Sequence, residues 1–170
     1  MRRGLVQKRL LEPVIRLPFP LGREKFKIGV HMEDHTGSNV IVTGACGGIG
    51  EAIVRSFAAS GAGVAIADVL TDELSALAAE LRDQGVNVYS ESVDVTDDSA
   101  VKLFCSSSVN SLGTVNQLIN TVGSVDNMGD VIGLTPKVWE ATLCTNLTSA
   151  YLTARHTVPL MIKCGGGSIV

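Results

Sequence analysis

The stretch Thr43-Gly44-Ala45-Cys46-Gly47-Gly48-Ile49-Gly50 has the residue types that a bound phosphate requires. It carries no charge, so it would hold an anion with backbone N–H groups rather than side chains. Gly44 allows a tight turn, Gly48 lets backbone approach a pyrophosphate, and Gly50 lets a following helix lie close to a sheet. A helix starting here adds free N–H groups and the positive end of its dipole. A glycine pattern alone has little specificity. Asp68, 18 residues beyond Gly50, adds to it. It stands close to the offset of about 20 residues at which a carboxylate binds the ribose hydroxyls of adenosine. The competing assignment for Asp68 is an ordinary helix-capping acid. Cys46, at the same helix start, is either a thiol of lowered pKa or filler in the turn.

These groups work only if a strand enters the turn and a helix leaves it. "NVIVTG" reads as a buried strand ending in a turn, and "GIGEAIVRSFAASG" as a helix closed by Gly61. "GVAIAD" is a second strand. The helix in "TDELSALAAELRDQG" has Thr71 as N-cap, Asp72 and Glu73 at the positive end of the dipole and Gly85 as its stop. "VNVYSESVDV" is a third strand with its exit loop, "DDSAVKLFCSSSVNSLG" a third helix and "VNQLINTVG" a fourth strand. One long helix is predicted from Pro136 to Lys163, with an apolar stripe at Trp139, Leu143, Leu147, Ala150, Ala154 and Val158. Pro159 should kink or fray its last turn, and "SIV" would be a fifth strand. Apolar strands alternating with helices imply an α/β fold, a Rossmann-like doubly wound parallel sheet. With about five strands, the sheet is expected to be incomplete on its C-terminal side.

Bulk composition narrows the function classes. At 170 residues, 45% of them hydrophobic and 18% charged, with 18 glycines, the chain suits one domain of tightly packed helices and sheet. Nothing approaches 18 consecutive apolar residues, so no transmembrane helix is predicted. Of the 14 basic and 17 acidic residues, eight and two lie in residues 1–30, which leaves six and fifteen for the rest. A body at −9 would repel a nucleic acid backbone, so DNA or RNA binding is disfavoured. Cys46, Cys105, Cys144 and Cys164 form no C-x-x-C and read as free thiols in a reducing compartment.

The T-G-x-x-x-G-x-G spacing resembles that of the short-chain dehydrogenase/reductase family, and the resemblance runs from about Val40 to Val170. Thr43, Gly44, Gly48 and Gly50 match the family's cofactor motif, with Ile49 as its usual filler. Asp94 and Val95, in "DVTD", match the segment that contacts adenine. Asn120 and Gly123, in "NTVG", match the family's N-N-A-G, whereas Thr121 and Val122 depart from it. Asn146 matches the helix asparagine that organises a water in the family's proton relay; outside the resemblance it would be a polar packing residue. The resemblance implies hydride transfer between NAD(H) and a secondary alcohol or ketone, in a homo-oligomer paired partly through the long helix. NAD is expected rather than NADP, because Asp68 would oppose a 2′-phosphate and Cys46, Gly47, Val69 and Leu70 offer no cation.

The same resemblance implies a catalytic Ser after the fifth strand and a Tyr and Lys four residues apart on the next helix. None of the three is in the chain. Tyr89 and Tyr151 are the only tyrosines. Tyr151 is followed by Arg155, but on the helix before the fifth strand, and Arg does not relay protons. Ser168 sits too early and reads as structural. Residues 39–170 are therefore expected to be a partial dinucleotide-binding domain, a fragment inactive on its own, with an exposed apolar sheet edge that invites aggregation. The alternative is a non-catalytic nucleotide-binding or subunit-pairing protein. Another Rossmann-like enzyme, such as a methyltransferase, is disfavoured by the glycine spacing.

Residues 1–38 form a basic leader expected to be disordered. Translation from Met32 would put the glycine turn about a dozen residues in, as is usual for the family. A mitochondrial presequence is the alternative to a cytoplasmic protein, although Pro13, Pro18 and Pro20 limit any helix. His31 and His35 are read as tail residues rather than metal ligands, so no metal is expected. His156 reads as a surface or interface residue. The loop "SVDNMGDVIGLTP", with Asp126 and Asp130, says little about substrate.

Overall fold

Strand β1 (Asn39–Thr43) is buried along its whole length, as its run of β-branched residues requires of a strand covered on both faces. The computed structural model describes residues 34–124 and 130–170. In chain order β1 is followed by α1 (Gly48–Ala59), β2 (Gly63–Asp68), α2 (Thr71–Asp83), β3 (Val88–Ser92) and α3 (Asp98–Leu112). Then come β4 (Gln117–Asn120), α4 (Pro136–Leu143), a π turn (Cys144–Thr148), α5 (Ser149–Lys163) and β5 (Ser168–Ile169). The five strands form one parallel sheet in the order β3-β2-β1-β4-β5.

Alternate residues of each strand feed opposite faces. Val40, Val42, Val64 and Ile66 join Leu74, Leu77 and Leu81 on the α1–α2 side. Ile41, Ala65 and Leu118 join Val101, Phe104, Leu152 and Met161 on the α3–α5 side. This is the doubly wound α/β arrangement expected from the alternation of elements. The chain order reverses between β1 and β4, and a crevice at such a point, at the carboxyl ends of the strands, is where open α/β sheets bind ligands.

Three local expectations are corrected. Thr71 is the first helical residue of α2, not its cap; the N-cap is Leu70, without a side-chain bond, and the Thr71 hydroxyl reaches Ser92 instead. The helix predicted from Pro136 to Lys163 is two helices joined by the π turn, and α5 runs through Pro159 to Lys163. Of the stripe chosen by apolar spacing, Trp139, Leu143, Leu147 and Val158 are exposed, and Ala154 alone of the six packs against the core. The buried face of α5 is Ser149, Leu152, Thr153, Thr157 and Met161. Three of these five are hydroxyl residues, each bonded: Ser149 to the Thr145 carbonyl, Thr153 to Asn120 and Thr157 to the Cys105 thiol. Hydroxyls satisfied in this way can be buried at little cost, and a count of apolar residues overlooks them.

β5 pairs with β4 through Gln117–Ser168 and Leu118–Ile169, and its outer side is exposed. The Ser168 amide bonds the Asn116 carbonyl at the start of the strand, as a structural residue there would. Of the leader, only residues 34–38 lie within the described part. There the His35 amide bonds the Ser60 carbonyl and its ring packs on Phe57. His31, Met32 and Asp126 lie outside the described residues. Among those residues no helix is long and apolar enough to cross a membrane, and no group of three His, Cys, Asp or Glu is placed to hold a metal.

Candidate dinucleotide site

The chain leaves β1 at Thr43 and turns at once. Gly44 takes φ 72°, a conformation that side chains disfavour, and its amide bonds the Ala67 carbonyl on β2. The Gly47 amide returns to the Gly44 carbonyl at 3.1 Å, and the Glu51 amide bonds Gly47 as the first helical bond of α1. The amides of Gly48, Ile49 and Gly50 therefore occupy the first turn, where N–H groups have no intrahelical acceptor.

The three motif glycines do different work. A Cβ on Gly50 would collide with the Gly44 carbonyl and lie 2.8 Å from Thr121 Oγ1, so the glycine is required by packing. A Cβ on Gly44 would lie 2.9 Å from the Thr121 hydroxyl and from the Val122 amide. Nothing lies within 4 Å of the position a Cβ on Gly48 would take. Backbone is bare there, beside the helix start, which is the cradle a pyrophosphate needs. The Ile49 side chain points to solvent.

Asp68, at the end of β2, accepts a hydrogen bond from the Cys46 amide at 2.9 Å and another from the Leu70 amide at 3.1 Å. It thus ties the glycine turn to the β2–α2 loop without capping the first turn of α2. Burial, with the charges of Asp68 and Glu73, pushes the Cys46 thiol up to about 11. The lowered pKa considered for this cysteine is therefore corrected: the helix dipole is outweighed by desolvation and neighbouring acids, and the thiol fills space in the turn.

Asp94, after β3, accepts from both the hydroxyl (2.6 Å) and the amide (2.9 Å) of Thr96, which hold its carboxyl below the usual range. Asn120, at the end of β4, accepts from the Thr153 hydroxyl at 2.7 Å. The Asn146 amide, in the π turn, is bound to the loop after β4. Its Oδ1 accepts from the Ser124 amide, and its Nδ2 donates to the Ser124 and Thr142 carbonyls. Gly123 leaves room for this contact, since a Cβ there would lie 3.0 Å from Asn146 Oδ1.

A cleft of about 480 Å³ opens at the carboxyl edge of the sheet. It gathers Gly44 from the turn, Asp68 from β2, Asp94 and Val95 from beyond β3, and Gly123 from beyond β4. Thr43, Gly48, Ile49, Gly50, Asn120 and Asn146 do not line it and stand in the elements around it. Thr96, Thr121 and Thr145 line it without having been singled out as site residues. Thr145 directly precedes Asn146, and Thr121 stands where the family motif has Asn, so both had a signal in the sequence. Neither tyrosine lines the cleft: Tyr151 is exposed, and the Tyr89 hydroxyl bonds Glu91 on the edge strand. Arg155 pairs with Asp98 at 3.5 Å.

Residues 38–170 match the family profile described as short chain dehydrogenase. An uncharacterized oxidoreductase of Thermotoga maritima is 35% identical over 136 residues, covering 79% of this chain and 52% of that protein. The D-threitol dehydrogenase of Mycolicibacterium smegmatis is 33% identical over 135 residues, covering 79% and 51%. The solved structure of a putative short-chain alcohol dehydrogenase from Sinorhizobium meliloti superposes with a TM-score of 0.74 at 28% identity, covering 80% of this chain and 54% of that one. The chain spans about half the length of the curated relatives it matches. With the doubly wound sheet and the glycine turn, the match over residues 38–170 shows that the chain belongs to the short-chain dehydrogenase/reductase family of oxidoreductases.

Proposed function

We propose that the cleft binds a nicotinamide dinucleotide, NAD(H) in preference to NADP(H), as the cofactor site of an oxidoreductase acting on a secondary alcohol or ketone. The observation that carries this reading is the convergence of the glycine turn, Asp68 and Asp94 on one cleft at the switch point of the sheet. Thr43, Gly44, Gly48, Ile49 and Gly50 would cradle the pyrophosphate at the start of α1. Asp68 would accept the adenosine ribose hydroxyls, and Asp94 with Val95 would bound the adenine. Asn120 and Gly123 would shape the floor beyond β4. A nicotinamide bound here supplies hydride exchange with a carbinol carbon. Asn146 would hold a relay water: its two amide protons are engaged, and Oδ1 accepts one bond, which leaves an acceptor position.

No Lys or Arg lines the cleft among the described residues, and Asp68 would repel a 2′-phosphate. Fluorescence titration of the full chain with NADH and NADPH tests the reading. NADH is expected to bind tighter. Failure of both to bind at millimolar concentration, or tighter NADPH, refutes it. The Ser, Tyr and Lys that the family resemblance implies are not in these 170 residues, so they are expected not to turn over an alcohol alone. A reducing compartment such as the cytoplasm is part of the same proposal, on the ground that the four cysteines are scattered and form no C-x-x-C.

Pairing with a second copy is part of the same proposal. Leu147, Tyr151 and Ile162 on the outer side of the π turn and α5 are 64%, 57% and 70% exposed, at helical spacings that share a face. The second reading, a nucleotide-binding or subunit-pairing protein without catalysis, draws on that face. Sedimentation of the full chain checks the pairing, and a monomer at tens of micromolar removes it.

A further inference from the structure

The Thr43 carbonyl, at the end of β1, takes both of its hydrogen bonds from one residue. Thr121 donates its amide at 3.1 Å and its hydroxyl at 2.6 Å. The same hydroxyl oxygen lies 3.1 Å from the Gly44 carbonyl. A hydroxyl has one proton, and the shorter distance commits it to Thr43. The oxygen sits in the notch left by two missing side chains, since a Cβ on Gly44 or Gly50 would come within 2.9 or 2.8 Å of it. On its other side, Thr121 lines the cleft beside Val122 and Gly123. One side chain therefore meets the strand end, the glycine turn and the start of α1, and the same residue lines the cleft.

We propose that Thr121 is a positioning residue for the dinucleotide: its hydroxyl sets the height of the glycine turn, and so of the first N–H groups of α1, above the floor that runs from Thr121 to Gly123. The inference rests on the nucleotide reading of the cleft. Asp94 is anchored to Thr96, and Asp68 keeps the Leu70 amide of its own loop even if the Cys46 amide moves with the turn, so both carboxylates stay near their places when the hydroxyl is removed. Loss of the hydroxyl should therefore act on the pyrophosphate and spare the adenosine. A methyl in its place would also be too large for the notch, because carbon needs about 3.5 Å or more from its neighbours.

The test is calorimetric titration of the full chain with ADP-ribose, which carries the pyrophosphate, and with adenosine, which lacks it. Thr121→Val should weaken ADP-ribose by about tenfold or more, the loss of one hydrogen bond together with the shift it causes. Adenosine should stay within about twofold. Thr121→Ser, which keeps the hydroxyl, should restore ADP-ribose binding. If Thr121→Val does not fold, Thr121→Ala carries the same comparison without the oversized methyl. An equal loss for both ligands would make Thr121 a general structural residue and overturn the inference, as would no loss for either. A wild-type chain that binds adenosine and ADP-ribose with an unaffected Thr121→Val variant overturns the inference alone. A wild-type chain that binds neither ligand overturns the nucleotide reading and the inference with it.

Discussion

Two glycines separated by one residue should respond to the same substitution in opposite ways. In Gly50→Ala the new methyl would stand 2.8 Å from Thr121 Oγ1, 2.9 Å from the Gly44 carbonyl carbon and closer still to the Gly44 oxygen. Contacts of this kind relax at about 3.5 Å, so the start of α1 must move outward by more than about half an ångström. Two of the three obstacles are backbone of the tight turn, which cannot swing aside. Overpacking of this sort costs about 1–3 kcal/mol. With a urea dependence of about 1–3 kcal/mol per molar, the unfolding midpoint should fall by about 1 M. In Gly48→Ala the methyl meets nothing within 4 Å, and Gly48 is the first residue of α1 at an ordinary φ. Stability should stay level or rise by up to about 1 kcal/mol through the lower entropy of the unfolded chain. Yet the methyl would occupy the space through which a pyrophosphate reaches the helix start. Urea unfolding and NADH titration of both variants separate the effects. A Gly50→Ala variant as stable as the wild type would refute the close approach of α1 to the turn. A Gly48→Ala variant that binds NADH as tightly as the wild type would refute the assigned position of the pyrophosphate.

Removing the charge of Asp68 while keeping its hydrogen-bonding shape, as Asp68→Asn, should narrow the preference for NADH over NADPH by about tenfold, measured by competitive titration; an unchanged ratio would mean that the acid does not meet the 2′ position. Cys46 reacts through its thiolate, and a pKa of about 11 in place of 9.0 leaves about a hundredfold less of it at pH 8. Iodoacetamide labelling followed by peptide mapping should therefore find Cys46 among the slowest of the partly exposed thiols, and rapid labelling contradicts this. Asp98 is held below the usual carboxylate range by its bond to His156 and by Arg155 nearby. A depressed acid stabilises the fold above its unfolded pKa, and that contribution is lost as the pH falls through the folded value. Urea unfolding from pH 6 down to 3 should show Asp98→Asn with a flatter acid limb than the wild type; superimposable limbs would remove the pair from the account.

The glycine turn was legible because its constraints are local. A positive φ at Gly44 and a helix start at Gly48 follow from four or five residues of chain. Asp68 was legible for a related reason: a strand of fixed rise after a helix of ordinary length returns the chain to the same edge of the sheet. The cleft floor was less so. Thr121 and Thr145 lie 27–77 residues from Asp68 and Asp94, and only the packing of β4 and α5 on the sheet brings them together. Asn146 was picked out by its place in the helix, but its grip on Ser124 depends on the π turn, a backbone feature without a residue signature.

By itself the sequence determined the order of βα units, the parallel α/β sheet, the tight glycine turn and the acid that follows it. Each of these depends on short-range sterics, burial periodicity or the reach of a few residues of backbone. The tertiary structure alone decided which face of α5 is buried, where the long helix breaks, how high the thiol of Cys46 titrates and which threonines close the cleft. Those outcomes depend on contacts between residues far apart in the chain. The same hydroxyl or thiol is ordinary at the surface and decisive when packed against a carbonyl or a carboxylate.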